Sequence, residues 1–165
     1  MARRSPARSP EADYRARADR ELVGISAAVL ASGNPPPSGD PLLGIFVLLG
    51  QPVGPRPLEA LSLSLHAVGI PDAYVTFTAT DQLSRELRLI EPHLLLAVGP
   101  DAAREIDDLQ HPLRLKDFRD AAPGSPFAWK RNTTGLLLPP LHPALDDDTE
   151  KRRFWNAFKT LKSLL

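Results

Sequence analysis

The sequence predicts an α/β protein built on a parallel sheet covered on both faces, and three observations predict it. The segments at 43–49 and 93–99 are nearly continuous apolar runs without alternation, as expected of strands buried on two sides. Both runs end in glycine, at Gly50 and Gly99, and each is followed closely by a helix opening on proline. The order strand, helix, strand, helix, strand, helix then points to a parallel sheet with helices on both faces.

The chain has 165 residues, one domain of ordinary size with enough length to bury a core. Twenty basic and twenty acidic side chains leave no net charge, so any polyanion site has to be local. Cysteine is absent, which excludes disulfides, thiolate metal sites and iron–sulfur clusters, and no cofactor is expected. No apolar run reaches the length of a membrane span, and the start lacks the apolar middle of a signal peptide. A cytoplasmic protein without membrane association is the expectation. Fifteen arginines against five lysines, with eighteen prolines, suit a G- and C-rich bacterial coding sequence.

Residues 1–10 hold two Ser-Pro pairs and three arginines and read as a flexible basic tail, with residues 11–165 as the single domain. From Glu11 to about Ser32, Tyr14, Ala18, Leu22, Ile25 and Val29 form a helical stripe that Gly33-Asn34 can end. Prolines at 35–37 and 41 force an extended connection into the first strand, over Leu43 and Ile45 to Leu49. Gly50 and Gly54 then bracket a turn. Leu58, Leu61, Leu65 and Val68 fit a helix, whereas Leu61 to Leu65 also alternates with serine as a strand would; Pro57 and Gly69 favour helix. His66 reads as a surface residue of that helix.

Residues 73–79 are β-branched and aromatic and form the second strand. Asp81 can cap a short helix with Leu83, Leu87 and Ile90, closed by Pro92. After the strand ending at Gly99, Pro100-Asp101 opens a helix burying Ala103, Ile106 and Leu109. Between His111 and Thr134 the periodicity fades into an irregular stretch, with Phe118, Phe127 and Trp129 folding over a core edge. Arg114, Lys116, Arg119, Lys130 and Arg131 make it the most basic part of the domain. Gly135 to Leu138 form a fourth short strand. Asp146, Asp147, Asp148 and Thr149 cap the last helix, whose stripe is Phe154, Phe158, Leu161 and Leu165.

Three pieces in this order resemble the uracil-DNA glycosylase superfamily: Gly50-Gln51-Pro52-Val53-Gly54 after the first strand, the segment 88–103 with Pro92, its apolar strand and Gly99, and Leu138-Pro-Pro-Leu-His142-Pro143-Ala144 before the closing helix. Together they span roughly residues 20 to 165. The resemblance implies a three-layer α/β/α sandwich with a four-stranded parallel sheet, whose strand ends hold an extruded uracil. It places Gln51 and His142 at the catalytic positions, and Gly50, Pro52, Gly54, Phe77 and Gly99 around the base.

Breaking the bond between base and sugar calls for a carboxylate that positions water, an amide that reads the pyrimidine and a histidine near the developing oxyanion. Here Gln51 and Pro52 stand where most members carry an acid, and loss of a positioned base costs about two to four orders of magnitude in rate. Phe77 stands where the family reads uracil with Asn, and the loop carrying the stacking aromatic is missing. His142 is retained; His111-Pro112 is a similar dipeptide without the preceding apolar strand. The expectation is therefore a glycosylase-like protein related to DNA repair, with excision weak or lost.

Three carboxylates at 146–148 oppose duplex phosphates, so single-stranded DNA is the expected nucleic acid, touched by Arg114, Lys116, Arg119, Lys130 and Arg131. The rival readings are a non-catalytic nucleic-acid binder and a protein-interaction scaffold whose partner the residues do not name. A mononucleotide-binding domain is the weakest, since the first turn lacks a Gly-x-Gly-x-x-Gly or P-loop pattern.

Overall fold

Strand β1 (Ile45–Leu49) is buried at every position, and its side chains divide between two apolar clusters. Ile45, Val47 and Leu49 join the cluster formed with α2 (Pro55–Ala67), α5 (Leu141–Asp146) and α6 (Asp148–Lys159). Phe46 and Leu48 join the opposite cluster, with α3 (Leu83–Ile90) and α4 (Pro100–Asp108). Period-two side chains on a strand covered from both sides give this uninterrupted apolar run. This computed structural model describes residues 9–33, 36–51, 54–78 and 81–165.

The sheet has five strands in the order β2-β1-β3-β5-β4, where β2 is Tyr74–Phe77, β3 Leu94–Val98, β4 Phe127–Lys130 and β5 Thr133–Leu138. Four of them are parallel, and β4 is an added antiparallel edge strand. The expected four-stranded parallel sheet is thus the larger part of a mixed one. β4 is short, bulged between Ala128 and Lys130, and joined to β5 through Asn132 in the left-handed region at φ 66°. Pattern alone passes over such a strand, because its pairing with β5 supplies what its own periodicity lacks. Trp129 is buried and Phe118 meets Phe127 edge-on, as expected of aromatics folded over this edge.

Both sheet edges are shielded by chain. Ser38 exchanges two backbone hydrogen bonds with Val75 on the outer side of β2, and the Leu115 N–H donates to the Trp129 carbonyl on the outer side of β4. Covered edges do not template association with another strand.

The ambiguous leucine–serine segment is a helix, because Leu61 and Leu65 are buried while Leu63 is exposed, a three-to-four spacing that no strand face provides. Its first helical residue is Pro55, two positions before the expected Pro57. The first helix, α1 (Pro10–Ala31), buries Ala18, Ile25 and Val29, and Ser9 caps it by accepting from the Ala12 N–H. Ser9 and Pro10 therefore belong to the helix start rather than to the tail; residues 1–8 and Asn34 lie outside the described residues.

Three local expectations are corrected. Leu43 ends a 3-10 turn (Pro41–Leu43) and is half exposed, since Gly44 at φ 78° redirects the chain before β1 begins. Asp81 does not cap α3: its backbone is left-handed at φ 54°, and Gln82 occupies the cap position. Leu165 is exposed because the last turn tightens to a 3-10 helix after Lys159, which rotates it off the apolar stripe.

Candidate functional site

The parallel register aligns the strand ends. Leu49 pairs with Phe77 on one side and with Val98 on the other, and Val98 pairs with Leu138. The turns after β1, β3 and β5 therefore leave from one edge of the sheet, the edge where open α/β sheets bind ligands. Gly99 lies there at φ 87°, buried, its N–H donating to the Leu138 carbonyl. A Cβ at this position would stand 3.4 Å from both Cα and Cβ of Pro140. A Cβ on Gly50 would stand 3.2 Å from the Asp101 Cβ in the first turn of α4. The first turn thus abuts the second, and the second abuts the third.

Gln51 and His142 are both exposed, His142 as the second residue of the six-residue helix α5. Strand β3 separates the strands that carry them, which sets the two strand ends roughly 10 Å apart at about 4.8 Å per spacing. Gly54 caps α2 and has open space around its α carbon. Pro52 lies outside the described residues. Phe77 is buried among the core residues on the α2 face, so its ring belongs to the cluster of Leu49 and Val75.

The three carboxylates before the closing helix have separate structural roles. Asp146 pairs with Arg56 at 3.3 Å, and Arg56 also donates to the Leu145 carbonyl at 3.2 Å, which ties the first turn of α2 to the end of α5. Asp147 caps α6, accepting from the Thr149 and Glu150 N–H groups at 2.8 and 3.2 Å. Asp148 opens the helix, where a negative charge complements the helix dipole.

The basic stretch is partly neutralised from within. Arg114 and Arg119 both hold Asp117, at 3.0 and 2.9 Å, and the Arg119 hydrogen bond is the main reason that its carboxyl lies below the ordinary range. Lys116 stands 5.5 Å over the Phe127 ring. Lys130 is half-buried and Arg131 exposed. His111 meets Trp129 edge-on, and its Nδ1 accepts from the Leu113 N–H, which leaves Nε2 to carry the proton of the neutral ring. Burial, followed by Lys130 and Arg114, lowers its pKa.

A polar cluster that sequence reasoning passed over lies inside the second apolar cluster. Glu86 of α3 is fully buried; the Tyr74 hydroxyl donates to its Oε2 at 2.5 Å and the Thr76 hydroxyl to its Oε1 at 3.3 Å. Burial raises the Glu86 pKa against the opposing pull of both hydroxyls, and burial with the Glu86 charge raises that of Tyr74. The available signal is its spacing: Glu86 follows Leu83 by three and precedes Ile90 by four, within the apolar stripe.

A cavity of about 510 Å³ opens beside the end of β5, lined among others by Ala103, Arg104, Arg119, Leu138, Pro139 and Pro140. Gly50, Gln51, Phe77 and His142 do not line it. Among the described residues, no helix is long and apolar enough to cross a membrane, and no group of three His, Asp or Glu side chains could hold a metal ion. No protein-family profile matches this chain, and no curated protein matches it significantly in sequence.

Proposed function

We propose that this chain is a divergent protein of the uracil-DNA glycosylase type, acting on single-stranded DNA, with base excision weak or lost. The observation that carries the reading is the mutual contact of the three motif turns, Gly50 on the first turn of α4 and Gly99 on Pro140, at one edge of a parallel sheet. The apolar clusters on both sheet faces support the three-layer sandwich that this reading requires. In this reading Gln51 orients water and His142 steadies the departing base. Weak chemistry follows from the uncharged Gln51 and from Phe77, whose buried ring offers no hydrogen bond to a pyrimidine.

Single-turnover uracil release from single- and double-stranded oligonucleotides, with protein in excess, tests the assignment. Slow release from single strands, abolished by His142→Ala and raised by Gln51→Asp, is the expected result. No release while a control enzyme is active in the same buffer overturns the excision reading. A second reading, a binder of nucleic acid without catalysis, is favoured by the same uncharged Gln51 and buried Phe77.

A further inference from the structure

Helix α6 and the 3-10 turn that continues it (Thr160–Ser163) carry five cations, Lys151, Arg152, Arg153, Lys159 and Lys162, against two carboxylates, Asp148 and Glu150. All five cations are exposed. Arg153 pairs with Glu150 at 3.3 Å on the surface, whereas Arg152 enters no ion pair among the described residues. This is a different balance from residues 114–119, where one carboxylate already holds two guanidinium groups.

Two hollows flank Arg152. One, of about 480 Å³, is lined by Gly124, Thr149, Arg152, Arg153, Asn156 and Thr160 among others, and contains no carboxylate side chain. Guanidinium, hydroxyl and amide donors around such a space match phosphate oxygens. The other, of about 250 Å³, is formed by Asp148, Lys151, Arg152 and Trp155. Trp155 is half-buried, stacked on Phe158 at 6.1 Å, and three residues beyond Arg152, so the two side chains are neighbours on the helix surface. A phosphate-binding groove and an aromatic platform side by side are what an unpaired strand needs, since its bases have free π-faces and its backbone is charged.

We infer that the α6 surface is a docking site for single-stranded nucleic acid, with phosphates in the Arg152–Arg153 groove and a base on Trp155. A duplex keeps its bases stacked inside and offers nothing to Trp155. An anionic lipid surface has the charge but not the bases, and an acidic peptide lacks the phosphate fork. Asp148 weakens the site by repulsion from its rim. The site deepens the nucleic-acid part of the proposed function and is independent of the excision chemistry at Gln51 and His142.

The test is fluorescence anisotropy of a labelled oligothymidylate titrated with the full chain over a range of salt, read together with intrinsic tryptophan fluorescence. Binding should weaken with salt. Replacing both Arg152 and Arg153 by alanine should lower affinity about tenfold or more at low salt, and Arg152→Ala alone should reduce the salt slope by about one. Asp148→Asn should tighten binding. Because Trp129 is buried, quenching on binding should come from Trp155 and vanish in Trp155→Phe, a change that keeps a ring in the core. Arg85→Ala with Arg88→Ala, exposed on α3 across the sheet from α6, should leave affinity unchanged.

Loss of binding in that control pair with the Arg152 variants unaffected overturns the assignment. So does binding that is absent, salt-insensitive or equally strong to duplex, or binding only to anionic vesicles or an acidic peptide. Salt-sensitive binding without uracil release would sustain the α6 site while the excision reading fails.

Discussion

Glu86 of α3, which packs on one face of the sheet, and Gln51 of the turn after β1 border the same sheet, yet their surroundings are opposites. Glu86 is sealed from water and held by two hydroxyls, whereas Gln51 stands exposed at the strand-end edge. A buried carboxyl has to be satisfied by its neighbours, so its geometry is part of the fold. An exposed amide on a turn can be replaced at little cost to stability, so its identity is free to follow chemistry. The difference separates residues that specify the core from residues available for function.

The largest effect that would expose this difference is Glu86→Ala. It leaves the Tyr74 and Thr76 hydroxyls without their acceptor and opens a cavity, and should lower unfolding free energy by about 3 kcal/mol. Denaturant melts showing a loss below about 1 kcal/mol would dissolve the contrast. Tyr74→Phe removes the shorter of the two hydrogen bonds and should cost about 1 to 2 kcal/mol in the same melts.

The buried carboxyl also predicts a pH dependence. Its folded-state pKa is raised, so the folded chain holds this proton more tightly than the unfolded chain. The stability it contributes is fully present below the unfolded carboxyl pKa and is lost as pH rises through the folded value. Stability should therefore fall as pH rises above the ordinary carboxyl range, and Glu86→Gln should flatten this component. An unchanged slope in Glu86→Gln would assign the pH response to other groups. The smallest effects belong to the edge: Gln51→Asp and His142→Ala should each change unfolding free energy by no more than about 0.5 kcal/mol. A larger loss in either would mark that residue as structural and break the comparison from the other side.

Much of the fold was legible because the relevant signals are local. The unbroken apolar runs of β1 and β3, the prolines opening α2 and α4, and the cap of α6 all act within a few residues of chain. The alternating leucines of α2 alone fit helix or strand; the flanking Pro57 and Gly69 pointed to helix, and the burial of Leu61 and Leu65 with Leu63 left in water agrees. β4 was invisible because a four-residue strand with a bulge is defined by its partner. Of the candidate site, the three turns and their order were legible, while the burial of Phe77 in the core was not; nor was the 3-10 turn that exposes Leu165.

By itself, then, the sequence determined the types of the parallel strands and of the helices between them, their alternation and the glycine turns at the strand ends, since backbone preference and side-chain period are properties of neighbouring residues. Tertiary structure alone decided which charges remain available. Arg114 and Arg119 converge on one Asp117, Asp146 is matched by an arginine ninety positions away, and the cations of α6 stay exposed beside Trp155. Electrostatic free energy depends on distance and solvent exposure rather than on order along the chain, so the count of charges is written in the sequence and their use only in the fold.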